Sequence, residues 1–195
     1  MRPAPVARGY FGIGVEQISK PMNLGALLRT AHAFGASFAF AVTPDLKTRE
    51  MKRSDTSDAP AHMPLYTFPD AAGLALPRGC RLVGVELLDE AIDLPSFRHP
   101  PQAAYVLGPE RGSLSPALVE RCDFLVRIPT RFCVNLSVAG AIVMYDRWLN
   151  FGRFAERPVA PGGIFESLPT HVHGAPLWKT KRARRQRATQ SRDDR

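Results

Sequence analysis

The stretch AAYVLGPERG, residues 103–112, decides the fold. It joins a short apolar run, residues 103–107, to a loop bounded by Gly108 and Gly112. Such a run predicts a buried strand of a parallel sheet. Ligands of these sheets bind beyond the carboxyl ends of the strands, where glycines let a ligand approach the backbone. The loop is therefore a candidate ligand site with Glu110 at its rim, the alternative being an ordinary Gly/Pro turn with an exposed acid.

Similar runs recur on both sides of this stretch and alternate with helical patterns. Predicted strands cover residues 11–15, 37–42, 65–68, 81–87, 103–107 and 124–128, and predicted helices cover 24–34, 70–76, 115–121 and 135–150. The polar segment 43–64 is interpreted as a mobile surface excursion. Alternating strands and helices predict an α/β domain with a mainly parallel sheet flanked by helices.

The first predicted helix carries a charge opposite its apolar face. Its apolar stripe has helical spacing and consists of Leu24, Leu27, Leu28 and Ala31. Asn23 is a natural N-cap and Gly35 a natural stop. Arg29 lies on the face of Gly25 and His32, where its guanidinium could bind a phosphate or a ribose. The alternative is a solvated arginine on an amphipathic helix.

A third informative stretch, IPTRFCVNLSVA, occupies residues 128–139 and again links a strand to a helix. Asn135 is placed to cap that helix. The helix is apolar on nearly every side, which predicts burial. A central core helix and a subunit interface both explain this pattern.

Composition favours one domain and a polyanionic partner. The 195 residues are 45% hydrophobic and carry a formal net charge of +8. Residues 178–195 alone contain eight Lys or Arg against two Asp. The predicted organisation is a main domain (1–156), a Pro/Gly-rich surface extension (157–177) and a basic, disordered tail (178–195). The tail either binds the phosphates of a polyanionic partner or only keeps the chain soluble.

Several function classes are disfavoured. No apolar segment is long enough to span a bilayer and the N-terminus does not read as a signal peptide, so a cytoplasmic protein is expected. The three cysteines have no CxxC spacing. His171 and His173 have no carboxylate or thiol nearby in sequence, so no metal site is expected.

Taken together, the three stretches resemble the motifs of the SpoU-type (TrmH-like) RNA ribose 2′-O-methyltransferases of the SPOUT superfamily. The family pattern N-x-G-x-x-x-R is matched by Asn23, Gly25 and Arg29. The glycine–glutamate loop is matched at 108–112. The third pattern is matched by Ile128-Pro129, by the run 135–139 and by Tyr145-Asp146. The resemblance covers residues 12–148.

The resemblance implies a SPOUT fold with a C-terminal trefoil knot, a homodimer and methyl transfer from S-adenosylmethionine to a ribose 2′-hydroxyl of RNA, without a metal. Transfer RNA is favoured as substrate and ribosomal RNA is possible. The implied catalytic residues are Arg29, Asn23, Glu110 and Asn135. The implied cofactor-binding residues are Leu87, Gly108, Ile128, Val134 and Ser137. Whether Arg29 acts as a base or stabilises negative charge stays open, as do the RNA and the nucleotide that are methylated.

Two positions depart from the family pattern. Thr130 replaces the usual methionine and Cys133 the usual serine, and a thiol donates a weaker hydrogen bond than a hydroxyl. The second hypothesis is therefore a non-catalytic RNA-binding protein that keeps the fold. A small-molecule methyltransferase is the third, which the basic tail disfavours.

Overall fold

The computed structural model describes residues 9–45, 63–152, 154 and 157–163. The strands are β1 (Tyr10–Glu16), β2 (Phe38–Val42), β3 (Leu65–Phe68), β4 (Arg81–Val85), β5 (Ile92–Asp93), β6 (Gln102–Leu107) and β7 (Phe124–Arg127). The α-helices are α1 (Pro21–Ala33), α2 (Pro116–Val119) and α3 (Leu136–Phe151), and a 3₁₀ helix covers Leu94–Ser96.

The seven strands form one sheet in the order β3-β2-β1-β6-β4-β7-β5, and all neighbours are parallel. This confirms the predicted α/β fold. Because every strand runs the same way, all the carboxyl ends meet at one edge of the sheet, here called the carboxyl edge. The opposite edge is called the amino edge. The predicted trefoil knot stays a prediction.

Each face of the sheet has its own core. Side chains of a strand point alternately to opposite faces, so Ile13 and Val15 pack with helices α1 and α3 on one face. Phe38 and Phe40 pack with the α2 side chain of Leu118 on the other. The middle strands β1 and β6 are buried almost throughout, as their apolar composition predicts.

Helices α1 and α3 lie side by side because of a small residue. The predicted stripe of α1 is buried, and it includes Leu27. A Cβ added to Gly140 of α3 would lie 2.3 Å from Leu27 Cδ1, so the glycine allows the two helices to approach. Both helices follow carboxyl ends of strands, and their first turns meet at the carboxyl edge.

Some local predictions were wrong. Residues 70–76 form turns instead of a helix, because the Asp70 carboxylate accepts a 2.7 Å bond from the Gly73 N–H and closes a tight turn. Helix α1 begins three residues early, with Lys20 as N-cap and Pro21 in its first turn, so Asn23 is not the cap. The short strand β5 and the 3₁₀ helix were not predicted.

The described residues after 152 belong to a second compact unit, in which a bond of 3.0 Å from Gly163 N to Ala160 O closes a turn. The predicted excursion lies outside the described residues from 46 to 62, as do most of the predicted extension and the whole tail. The predicted domain boundaries stay predictions. Among the helices that the structure describes, none is long and apolar enough to cross a membrane.

Candidate active site at the carboxyl edge

Loops that follow β4, β6 and β7 surround a cavity of about 270 Å³ at the carboxyl edge. We call it the first cavity. One wall is apolar and is built from Val85, Leu87, Leu107, Ile128, Val134, Leu136 and Ala139. The rest is polar or backbone and is contributed by Lys20, Asn23, Glu86, Gly108, Pro109, Glu110, Gly112, Thr130, Cys133 and Asn135.

Most of the predicted site residues converge on this cavity. Four of the five predicted cofactor-binding residues line it, namely Leu87, Gly108, Ile128 and Val134. Three of the four predicted catalytic residues also line it, namely Asn23, Glu110 and Asn135. The two exceptions are Ser137 and Arg29.

Glu110 is the anchor of a polar network. Its Oε1 accepts bonds of 3.1 Å from the Lys20 N–H and from Asn23 Nδ2. Its Oε2 accepts a 3.0 Å bond from the Ser19 hydroxyl and a 3.4 Å bond from the Ser19 N–H. Burial acts to raise the pKa of the Glu110 carboxyl, but the bonds from Asn23 and Ser19 outweigh it and hold the pKa below its usual value. The carboxylate therefore fixes the start of α1 against the loop after β6.

The network continues from α1 to α3. Asn23 uses its amide nitrogen on Glu110 and its oxygen to accept a 3.2 Å bond from Asn135 Nδ2. Asn135 is the N-cap of α3, as predicted, and its Oδ1 accepts bonds from the Ser137 N–H (2.9 Å) and the Ser137 hydroxyl (2.7 Å). Ser137 therefore supports the site through Asn135 and does not line the cavity.

Two further carboxylates were missed by the sequence reasoning. Glu86, in the first cavity, accepts a 2.9 Å bond from the Leu87 N–H and a 2.8 Å bond from the Leu114 N–H. Glu16 is buried and accepts bonds from the N–H (2.7 Å) and hydroxyl (2.5 Å) of Ser115. Both tie the loop after β6 to neighbouring strands. The sequence signal for both is an acidic residue at the end of an apolar strand. A solvent-exposed acid at that position would give the same pattern.

The motif order and this geometry agree with the comparison to known proteins. Residues 11–145 match the SpoU rRNA Methylase family. The chain belongs to this family. The tRNA (guanosine(18)-2′-O)-methyltransferase of Escherichia coli (strain K12) is 27% identical over 137 residues, which are 68% of this chain and 60% of that relative. The chain thus spans less than two thirds of the relative's length.

Solved structures share the fold. One described as "Structural insights into the 2-OH methylation of C/U34 on tRNA" has a TM-score of 0.62 and 26% identity, over 73% of this chain and 97% of that one. The SpoU methyltransferase AviRb from Streptomyces viridochromogenes, in complex with AdoMet, has a TM-score of 0.61 and 22% identity, over 75% of this chain and 62% of that one.

Arg29, at the SpoU arginine position, lies apart from the first cavity. It is exposed on α1, and within the described residues no hydrogen bond or ion pair holds its guanidinium. Gly25 does not share this exposed face, because it is buried with the leucine stripe. The structure thus leaves Arg29 available but does not bring it to the polar network.

The two departures from the SpoU pattern both fall in the first cavity. Thr130 donates a 2.9 Å bond to the Phe132 carbonyl and so closes the turn between β7 and α3. Cys133 is exposed and lines the cavity. A thiol therefore faces the space where the family pattern places a hydroxyl.

Proposed function

We propose that this protein transfers the methyl group of S-adenosylmethionine to a ribose 2′-hydroxyl of RNA, with transfer RNA as the favoured substrate. The observation that carries the proposal is the convergence of seven predicted site residues on one cavity at the carboxyl edge of a SpoU-family domain. The names of the E. coli relative and of the tRNA methylation structure support the reaction and the substrate class.

The first cavity suits the adenosine part of the methyl donor. Leu87 is a large apolar side chain that is 40% exposed in the cavity wall, and a flat heterocycle packed there would cover it. A Cβ at Gly108 would lie 3.1 Å from both Glu86 Oε2 and Leu114 N, so a side chain there would require these neighbours to shift by a few tenths of an ångström. When bound, the cofactor supplies a methyl group already activated by a sulfonium. The protein's task is then mainly to position the acceptor.

The polar network is placed to hold that acceptor. Asn23 and Asn135 line the cavity side by side, and Glu110 fixes Asn23 from behind. Such amides can bond the ribose hydroxyls without adding a net charge. Arg29 either removes the 2′-proton or stabilises the developing negative charge. Its exposed position means that RNA or a partner must bring it to the reaction.

A homodimer is part of the proposal. Met22 of α1 and Val138 and Tyr145 of α3 are 82%, 48% and 48% exposed, which leaves apolar side chains on the outer surface of both helices. Exposed apolar surface of this kind commonly marks association. A second copy packed on this surface would contact the first turns of α1 and α3, which line the first cavity. It would also contact Arg29 of the first copy. The cytoplasmic location and the RNA-binding tail stay predictions.

The alternative is a non-catalytic RNA-binding protein. The observation that favours it is the presence of Cys133 and Thr130 in the cavity at the family's serine and methionine positions. Binding of S-adenosylmethionine separates the two functions, because a protein that only binds RNA has no need of the cofactor.

The test is transfer of a labelled methyl group from S-adenosylmethionine to unmodified transfer RNA and ribosomal RNA, followed by nucleoside analysis. A 2′-O-methylated nucleoside is the expected product, and the RNA that carries it identifies the substrate. A methyl group found on a base would contradict the proposed reaction. Absence of both transfer and cofactor binding would favour the alternative.

A further inference from the structure

A second cavity of about 660 Å³ adjoins the first at the carboxyl edge. It lies beyond the ends of β1 and β2 and is lined by Gln17, Ser19, Lys20, Thr43, Pro44, Asp45, Pro109, Glu110 and Arg111. Lys20, Pro109 and Glu110 line both cavities, so a single ligand chain could occupy the two in sequence.

The two cavities differ in chemistry. The first has an apolar wall, whereas every described residue that lines the second is polar or charged except two prolines. A ligand that fills the second cavity must therefore be hydrogen-bonded over most of its surface. A second copy of the cofactor's adenine would find no comparable apolar wall.

Three charges in the second cavity have no partner among the described residues. The carboxylate of Glu110 is already bonded to α1. Lys20, Arg111 and Asp45 are exposed, and no side-chain hydrogen bond or ion pair within the described part of the chain uses their charged groups. Two cations would bind a phosphodiester, and arginine offers a fork that fits it. The negative charge of Asp45 disfavours the binding of a free anion, but its carboxylate can accept a hydrogen bond from the amino group of a base.

Two residues that line this cavity have an unusual backbone conformation. Gln17 and Thr43, the first residues after β1 and β2, have φ values of 50° and 46°. Non-glycine residues seldom adopt this left-handed conformation, and such residues cluster at functional sites. Bonds of 2.9 Å from Gln17 N to Val42 O and from Thr43 N to Phe68 O hold the two turns. The strand ends thus keep the floor of the cavity fixed.

We propose that the second cavity holds the nucleotide next to the methylated ribose, with Lys20 and Arg111 binding its phosphodiester. The inference rests on the proposed function, because it takes the first cavity as the site of methyl transfer. It makes Lys20 and Arg111 positioning residues that set where the RNA strand crosses the carboxyl edge. A nucleotide satisfies both charge signs of the cavity, which inorganic phosphate does not.

The test compares Arg111→Ala and Lys20→Ala with Arg98→Ala in the full-length protein. Arg98 is an exposed arginine at the amino edge, so its loss removes one charge far from both cavities. Affinity for an unmodified transfer RNA is measured over a range of salt concentrations, with S-adenosylhomocysteine present, and cofactor affinity is measured separately. Each cavity variant should weaken RNA binding by roughly tenfold and lower the slope of log Kd against log salt by about one. Arg98→Ala should change neither, and cofactor affinity should stay the same in Arg111→Ala and Arg98→Ala, because neither residue lines the first cavity.

Equal behaviour of Arg111→Ala and Arg98→Ala would overturn the inference. So would a loss of RNA affinity in Arg111→Ala that leaves its salt slope at the wild-type value. If the wild type transfers methyl groups while Arg111→Ala keeps full RNA affinity, the proposed function stands and the second cavity is not an RNA site. If the wild type transfers none, the proposed function fails and the inference fails with it, and the binding comparison then shows only whether Lys20 and Arg111 bind RNA.

Discussion

Polar side chains hold α3 at both edges of the sheet. At one edge they line an open cavity, and at the other they are buried. At the carboxyl edge, Asn135 joins Asn23 and Glu110 beside an open cavity. At the amino edge, Arg147 is buried and donates bonds of 2.6 Å and 2.8 Å to the carbonyls of Pro100 and Pro101. Polar groups that line a cavity remain available to a ligand, whereas buried and fully bonded ones hold the fold.

The polar side chains at the amino edge are hydrogen-bonded to one another. His99 Nδ1 and the Tyr105 hydroxyl are 2.6 Å apart, and His99 Nε2 and Asp146 Oδ2 are 2.9 Å apart. Burial raises the pKa of Tyr105 to about 12, against the opposing effect of Arg147, so the hydroxyl stays protonated. In the described residues, every buried side-chain nitrogen and oxygen has a hydrogen-bond partner. The contrast predicts that substitutions at the carboxyl edge reduce activity and that substitutions at the amino edge reduce stability.

The largest expected effect is on turnover. Arg29→Ala should lower methyl transfer by a hundredfold or more, on the order of the loss of one group that stabilises transition-state charge. Unfolding temperature and cofactor affinity should not change, because Arg29 is exposed and outside the first cavity. Single-turnover transfer to RNA is the measurement. Activity near that of the wild type would remove Arg29 from the mechanism.

The next effect is on stability. Arg147→Met should lower the free energy of unfolding by about 1–3 kcal/mol, since it removes charged hydrogen bonds to partly buried carbonyl groups. It also removes the stacking of the guanidinium on Phe151, whose ring centre is 4.6 Å away. Urea denaturation gives the value. A loss below 1 kcal/mol would show that the amino edge does not hold α3 as described.

Asn135→Ala should have a mixed effect, because this residue both caps a helix and lines the first cavity. Loss of the cap should cost about 1 kcal/mol of stability. Ser115→Ala is the control, since it removes both the 3.3 Å cap of α2 and the 2.5 Å bond to Glu16 at a residue that does not line the first cavity, and it should cost at least as much stability. Transfer rate should fall more in Asn135→Ala than in Ser115→Ala, and equal rates would argue against a role for Asn135 at the acceptor.

The smallest effect is a pH dependence at the amino edge. Burial lowers the pKa of His99 below its ordinary value of 6.5, although its bond to Asp146 acts in the opposite direction. The unfolded chain therefore binds a proton first as the pH falls, and stability is lost from about pH 6.5 downwards until His99 is protonated in the folded state as well. Urea denaturation of wild type and His99→Gln between pH 7.5 and about pH 5 checks this. The same slope in both proteins would contradict it.

The sequence predicted the strands well for a physical reason. Central strands such as β2 and β6 are short, continuous apolar runs, and their composition alone indicates burial on both faces. The start of α1 was misplaced because Asn23 has a strong intrinsic preference for caps, while here its side chain is engaged by Glu110, 87 residues away. Contacts of that range have no local signal.

The same limit explains the parts of the site that were missed. The three motifs indicated which residues line the first cavity, because each lies at a strand end or helix start. They could not indicate that Arg29 lies away from the cavity, since its position follows from how α1 packs on α3. Nor could they reveal the pairing of His99 with Tyr105 and Asp146, which the sheet and α3 bring together.

The proposed cofactor site is tested by a titration of S-adenosylmethionine into the wild type, Val134→Trp and Phe132→Trp. Val134 lines the first cavity, whereas Phe132 is 76% exposed in the same loop and does not line it. We expect binding to the wild type and to Phe132→Trp, and loss of binding in Val134→Trp with an unchanged unfolding temperature. Absence of binding to the wild type, or equal binding to all three proteins, would contradict the claim that the carboxyl edge holds the methyl donor.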